Sequence, residues 1–109
     1  MLLDFPVTEE TILPNFKGGE KEYAAKMFFD GKNRIMCGRL IPGASIGTHT
    51  HETSSEIIYL LSGTASIVCD GKPETLTAGQ CHYCPKGSTH TMKNNGPDEL
   101  TFFAVVPEQ

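Results

Sequence analysis

The chain of 109 residues has no apolar run near the ~20 residues that a membrane-spanning helix requires. Basic residues are also in the minority, with nine Lys and Arg against 13 Asp and Glu and a formal net charge of −4. This balance disfavours binding to nucleic acid or to an anionic membrane surface. The opening residues lack a basic stretch followed by an apolar one, so we expect no secretory signal and a cytoplasmic protein.

Cysteine is sparse, with four residues at positions 37, 69, 81 and 84. Two disulfides are possible on this count, but a domain of this length without an export signal does not need them, so we expect four thiols. Cys81 and Cys84 form a Cys-x-x-Cys sequence. On a strand, residues three apart face opposite sides of the sheet, which argues against a redox pair.

The chain also lacks a credible long helix, an internal repeat and a linker, and we therefore expect one domain. Short runs rich in Ile, Val, Tyr and Phe are separated by turn signals such as Asp30-Gly31, Asp70-Gly71 and Asn95-Gly96. The predicted strands are Lys26–Phe29, Arg34–Ile41, Ser55–Leu61, Thr64–Cys69, Glu74–Leu76, Gln80–Cys84, His90–Lys93 and Leu100–Val106. About eight strands without a long helix predict an all-β barrel or jelly roll.

Residues 1–25 contain Pro6, Pro14 and the Gly18-Gly19 pair, which favour an arm with at most one short strand or turn. We therefore divide the single domain of residues 1–109 into an N-terminal arm, residues 1–25, and a barrel, residues 26–106. Such an arm could pack against a second subunit.

Two of the four histidines lie in the stretch GTHTHETSSE, residues 47–56. On an extended chain His49 and His51 point to the same side, and the step to Glu56 leaves room for a turn that returns its carboxylate. A third histidine, His90, follows Cys84-Pro85-Lys86-Gly87, where we predict a type I turn with Pro second and Gly fourth. Three imidazoles and a carboxylate suit a divalent first-row transition metal with coordination positions left open.

The spacing of these residues matches two motifs over residues 43–94. The first is Gly43-x5-His49-x-His51-x4-Glu56-x6-Gly63, and the second is Gly79-x5-Pro85-x-Gly87-x2-His90-x3-Asn94. Both resemble the two signature motifs of the cupin superfamily at every fixed position. The resemblance implies a cupin β-barrel, also called a double-stranded β-helix or jelly roll.

By this resemblance His49, His51, Glu56 and His90 are the ligands of one divalent metal, and the remaining motif positions are turn-forming framework. Manganese, iron, zinc and nickel all fit such a ligand set. Cupins of this size commonly form homodimers. Alternation supplies apolar outward positions for a dimer at Ile57, Tyr59 and Leu61.

Other side chains are candidates for the pocket or for chemistry. Alternation turns Met92 and Phe102 inward with the ligands, while on the strand Arg34–Ile41 either Met36 or Arg39 faces inward. We take Met92, Phe102 and Met36 as pocket residues. Tyr83 and His82 are the candidates for a catalytic acid or base, and His82 can equally be an ordinary polar histidine. We interpret Glu52 as a solvated loop acid.

Two functions of different classes fit this constellation. The first is a metal-dependent enzyme whose substrate, a small oxygen-rich metabolite such as a hydroxy acid, keto acid or sugar derivative, chelates the ion. The second is a non-catalytic module that binds such a ligand at the metal. Four complete ligands favour the enzyme, whereas the absence of an evident acid–base pair favours binding. A purely structural metal fits less well, because structural sites usually close their coordination.

Overall fold

The computed structural model describes all residues 1–109 and consists of ten antiparallel strands in two sheets. The strands are β1 (Thr11–Pro14), β2 (Glu22–Phe29), β3 (Asn33–Leu40), β4 (Ser45–Thr50), β5 (Glu56–Ser62), β6 (Thr64–Cys69), β7 (Lys72–Thr77), β8 (Cys81–Cys84), β9 (Thr89–Lys93) and β10 (Leu100–Pro107). Two short 3₁₀ helices span Phe5–Val7 and Phe16–Gly18. Neither helix has the length and apolar character needed to cross a membrane.

The two sheets form a jelly roll, which confirms the predicted all-β fold class. One sheet has the order β1-β2-β3-β10-β5-β8, and the other has the order β4-β9-β6-β7. Consecutive strands β8, β9 and β10 belong to alternate sheets, so the chain crosses between the sheets at each step. The sheets therefore enclose one core to which both contribute.

Burial alternates along the strands as the sequence predicts. Ile58 and Leu60 on β5 are at most 2% exposed, and Phe102 and Ala104 on β10 are at most 1% exposed. The residues between the buried β5 positions are exposed, and these are Ile57, Tyr59 and Leu61. Their outward direction is confirmed, while the homodimer that they were expected to support stays a prediction.

Strand β4 is missing from the predicted set, and β2 begins at Glu22 rather than at Lys26. The four-residue β1 lies in the arm, where one short strand or turn was expected. Strand β4 has the sequence SIGTHT, whose single large apolar residue does not mark it as a strand. The start of β2 carries Ala24 and Ala25, which are 3% and 0% exposed and form part of the sheet interior. Small residues give little strand signal, so residues 22–25 were assigned to the arm.

The turn before His90 differs by one residue from the predicted turn. The backbone N–H of Ser88 donates to the carbonyl of Pro85 at 3.0 Å, so the turn comprises residues 85–88. Gly87 is its third residue and has a φ of +90°. A positive φ at the third position defines a type II turn and favours glycine, which corrects the predicted type I turn.

The N-terminal segment packs against its own barrel. Backbone atoms of the second 3₁₀ helix approach β4 so closely that a Cβ at Gly47 would collide with the carbonyl of Lys17. A Cβ at Gly19 would likewise collide with the carbonyl of Ser45. The Ser45 N–H donates to the carbonyl of Glu20 at 2.9 Å, and its side-chain oxygen accepts from the Glu20 N–H at 2.8 Å.

Gly47→Ala should therefore destabilise the protein by about 1–3 kcal/mol, because backbone atoms must move apart to admit the methyl group. Urea unfolding followed by circular dichroism measures the change. Gly96→Ala is the matched control, since a Cβ there would meet its nearest neighbour, the Asn94 Oδ1, at an ordinary 3.5 Å. Equal stability of the two variants would contradict the close packing of residues 17–19 on β4.

Candidate metal centre

Four side chains from both sheets meet inside one end of the barrel. His49 on β4 lies opposite His90 on β9 in the strand register, and His51 follows the end of β4. Glu56 is the first residue of β5, in the other sheet. Imidazole nitrogens and a carboxylate oxygen of these four residues all lie within 4.8 Å of one another. They form the His49–His51–Glu56–His90 cluster.

Glu56 Oε1 lies 3.2 Å from His51 Nε2, 3.0 Å from His90 Nε2 and 3.9 Å from His49 Nε2. His90 Nε2 is 3.0 Å from His51 Nε2 and 3.1 Å from His49 Nε2. Nitrogen ligands about 2.1 Å from an ion and at right angles to each other are about 3.0 Å apart. The shorter separations in the cluster therefore match neighbouring ligands of one ion.

The outer nitrogen of each imidazole has its own partner, and the partner of His49 sets which nitrogen of that ring carries the proton. His49 Nδ1 lies 2.8 Å from the Gly47 carbonyl oxygen, which can only accept, so Nδ1 is the donor. His51 Nδ1 lies 3.1 Å from Ser54 Oγ, and His90 Nδ1 lies 3.1 Å from His82 Nε2. In the neutral His49 ring the Nε2 lone pair then faces the cluster.

Lone pairs and a carboxylate converging at such distances repel one another unless a cation lies among them. The donor set therefore fits a divalent transition metal, which is the group that the cupin resemblance implied. Three imidazoles and one carboxylate leave further coordination positions of an octahedral ion for another molecule.

Charge states at neutral pH also suit metal binding. Burial alone would raise the pKa of Glu56, but the neighbouring imidazoles of His49, His51 and His90 outweigh it and hold that pKa well below its usual value. Burial lowers the pKa of His90. Glu56 is therefore a carboxylate and His90 a neutral imidazole at pH 7, the protonation states in which both can bind a cation.

A cavity of about 600 Å³ opens onto the cluster. His49, His51 and Glu56 line it, whereas His90 lies behind them and does not. Its other walls come largely from the N-terminal third of the chain, and they include Leu13, Phe16, Lys17, Tyr23, Met27, Arg34 and Met36.

The predicted pocket residues separate into two groups. Met36 lines the cavity, while Met92 and Phe102 are 2% and 1% exposed in the core and do not line it. Alternation gave the correct side of the sheet for these two residues but not their depth in the barrel. Arg39 faces outward and binds the carboxylates of Glu10 and Glu99 at 2.7 and 3.0 Å, so Met36 is the inward residue of β3.

The two catalytic candidates lie outside the cavity. Tyr83 is 56% exposed and alternates with the buried His82 and Cys84, so its side chain faces outward and does not line the cavity. His82 is buried and contacts His90 from the side away from the cavity. Glu52 is exposed, in agreement with its interpretation as a solvated loop acid, but it also lines the cavity, which was not predicted from the sequence.

Arg34 and Lys17 are the cationic residues of the cavity that sequence reasoning missed. Arg34 shares its alternation phase with Met36, so extending the inward assignment of Met36 by two residues would have identified it. Lys17 has a φ of +56° within the second 3₁₀ helix, and no local pattern predicts its position over the barrel.

The cysteines follow alternation. Cys81 is exposed and Cys84 is buried, so the Cys-x-x-Cys residues face opposite sides. The sulfur of Cys84 instead lies within 4.8 Å of the Cys69 sulfur and of a His82 ring nitrogen. Burial raises the pKa of Cys84 to about 12 and also raises that of Cys69, so both remain thiols at neutral pH.

Comparison with known proteins agrees with the fold and the cluster. The family model described as "Cupin domain" matches residues 38–106, which contain all four cluster residues. This chain belongs to the cupin family.

A sequence match and a structural match both come from Thermotoga maritima. An oxalate-binding protein is 33% identical over 106 residues, which cover 92% of this chain and 87% of that protein. The crystal structure of a predicted oxalate decarboxylase superposes with a TM-score of 0.93 at 28% identity and covers both chains completely. The cupin domain of Schizosaccharomyces pombe Cnp3 has a TM-score of 0.79 at 10% identity, covering 97% of this chain and 72% of that one, and so shares the fold.

Elemental analysis of the purified protein should find about one equivalent of a divalent transition metal per chain. His51→Ala should lose that metal, because it removes one of the converging nitrogens and leaves its neighbours in place. Glu52→Gln is the control, since Glu52 lies beside His51 but outside the cluster, and it should keep the metal. A wild-type protein that cannot be loaded with manganese, iron, zinc or nickel would contradict the site.

Proposed function

We propose that this cupin binds a small carboxylic acid, of the oxalate type, by chelation to a divalent metal held by His49, His51, Glu56 and His90. When bound, the metal would serve as a Lewis acid that accepts carboxylate oxygens in its open coordination positions. The surrounding residues select and orient the acid.

The position of Arg34 in the cavity, without a carboxylate partner from the protein, is the main support for this proposal. Arg34 lines the same cavity as His49, His51 and Glu56, and its guanidinium makes no ion pair with a carboxylate of the protein. It lies 4.4 Å from the centre of the Phe29 ring, and its Nη1 is 3.9 Å from the Met27 sulfur. A guanidinium held by apolar neighbours is well placed to bind a carboxylate in a two-point hydrogen-bonded pair.

The charge of the cavity favours an anion. The two positive charges of a divalent ion outnumber the single negative charge of Glu56. Arg34 and Lys17 add two positive charges to the cavity wall, and Glu52 adds one negative charge. Apolar walls from Leu13, Phe16 and Met27 exclude water around the acid, which strengthens its interaction with the cationic groups.

The relatives support the same class of ligand. The sequence match is to an oxalate-binding protein, and the structural match is to a predicted oxalate decarboxylase. A cavity of about 600 Å³ also admits acids larger than oxalate, so the proposal is for small mono- and dicarboxylates as a class.

Arg34→Gln should weaken oxalate binding to the metal-loaded protein by about tenfold to hundredfold, the value of a charge-assisted hydrogen bond. Isothermal titration calorimetry with oxalate and malonate measures the dissociation constant. Arg39→Gln is the matched control, because Arg39 lies on the outer face of the same strand. Unchanged affinity in Arg34→Gln, with metal content equal to wild type, would show that Arg34 does not recognise the acid.

Catalysis is a second candidate function, and the position of Glu52 favours it. Decarboxylation of an oxalate-type acid requires delivery of a proton to the carbon that loses carbon dioxide. Glu52 lines the cavity and is exposed to solvent, so its carboxyl group can hold such a proton and recover it from water.

If the protein turns oxalate over, Glu52→Gln should lower the rate by about 10²-fold or more while oxalate affinity changes little. Formate release from the metal-loaded protein measures this, and Glu22→Gln, on the exposed part of β2, is the control. Absence of formate from wild-type protein loaded with each candidate metal would exclude this activity and leave ligand binding as the function.

A further inference from the structure

We propose that Glu74 and His82 form a hydrogen-bonded chain that holds His90 in the tautomer required of a metal ligand. Glu74 lies on β7, His82 on β8 and His90 on β9. The inference rests on the metal role of His90 in the proposed function, but it does not depend on which acid is bound. Both residues are positioning residues, because neither lines the cavity.

The contacts are short and largely buried. Glu74 Oε1 lies 2.9 Å from His82 Nδ1, and His82 Nε2 lies 3.1 Å from His90 Nδ1. The His82 and His90 rings stack with centroids 5.3 Å apart and planes 27° apart. The His82 side chain is 1% exposed, whereas that of Glu74 is 48% exposed. The chain therefore runs from the protein surface to the centre of the cluster.

The chemistry of the three groups sets the direction of each hydrogen bond. A carboxylate accepts, so the proton of the neutral His82 ring lies on Nδ1 and its lone pair on Nε2. His82 Nε2 then accepts from His90 Nδ1, which leaves the lone pair of His90 on Nε2, 3.0 Å from Glu56 Oε1. Without this chain a proton could occupy His90 Nε2 and block metal binding.

The three histidines of the cluster thus differ in what supports them. His49 is held by a backbone carbonyl and His51 by a hydroxyl, whereas His90 is linked to a carboxylate through a second imidazole. A carboxylate partner raises the basicity of a ligating imidazole more than a neutral partner does. His90 does not line the cavity. It is the histidine of the cluster that is linked to a carboxylate by hydrogen bonds.

The hydrogen bonds of His82 also bear on a second group of possible metal ligands, Cys69, His82 and Cys84, which the proposed function does not use. His82 lies within 4.8 Å of the Cys69 and Cys84 sulfurs, as a second metal site would require. Both of its ring nitrogens are already engaged, one with Glu74 and one with His90. The chain to His90 is the arrangement that satisfies both nitrogens at once.

The first experiment reads the tautomer without any metal. Long-range ¹H–¹⁵N NMR spectra of the chelator-treated wild-type protein distinguish protonation at Nδ1 from protonation at Nε2. We expect both His82 and His90 to be protonated at Nδ1 in the wild type. Glu74→Ala should shift His82 or His90 toward the Nε2-protonated form. A wild-type His90 protonated at Nε2 would overturn the chain.

The second experiment measures metal affinity by chelator competition with Zn²⁺ and Co²⁺. His82→Phe keeps a buried ring but removes the acceptor, and Glu74→Ala removes the terminal carboxylate; we expect losses of about tenfold to hundredfold. Glu22→Gln, which removes one charge from an exposed site on β2, is the matched control and should keep wild-type affinity. Wild-type affinity in both Glu74→Ala and His82→Phe would overturn the proposal.

The two measurements separate failure of this inference from failure of the proposed function. If the wild-type protein has the expected tautomers but binds no metal, the hydrogen-bonded chain is supported and the proposed metal site is wrong. A wild type that binds metal with His90 protonated at Nε2 in the metal-free state would remove the chain and keep the site. The thermal midpoint of each metal-free variant identifies loss of fold, and the wild-type spectrum decides the tautomer even where a variant does not fold.

Discussion

The convergence of three imidazoles on one buried carboxylate is the constraint on which the rest of this structure depends. Glu56 has a side chain only 9% exposed, and nitrogens of His51 and His90 lie within 3.2 Å of its oxygen. A buried carboxylate is costly unless positive charge compensates it. The surrounding strands must therefore hold four polar side chains at close range inside an otherwise apolar barrel.

The jelly-roll connectivity makes this possible, because it draws the four residues from two sheets. Three histidines come from the β4 and β9 side and Glu56 from β5, so an ion shared by them would also link the sheets. Beyond the cluster, His82 and Glu74 continue the polar interactions to the surface between β7 and β8. The polar residues thus follow one line across the barrel, with apolar core around them.

Much of the site could be predicted from sequence, because it depends on local periodicity and spacing. His49 and His51 share a face through strand alternation, and the same rule accounts for the burial of Ile58, Leu60, Phe102 and Ala104. Alternation does not give depth, and Met92 and Phe102 therefore belong to the core rather than to the cavity. The inward phase of β3 depends in part on its pairing with β10, which is distant in sequence, so no local pattern separates an inward Met36 from an inward Arg39. The approach of Cys69 to Cys84 is likewise a contact between sheets that no local pattern encodes.

Because the backbone at Lys17 contacts the backbone at Gly47, part of the cavity wall comes from a segment of the chain other than the one that carries the cluster. His49, Glu56 and His90 lie on strands that neighbouring strands hold in register, and His51 directly follows β4. Phe16 and Lys17 reach the cavity from the second 3₁₀ helix, which packs on β4, and Leu13 reaches it from β1. Substitutions at these three positions would alter the shape and charge of the cavity wall without touching the cluster. Relatives could therefore differ in ligand preference through a few N-terminal residues while the four residues of the cluster stayed the same.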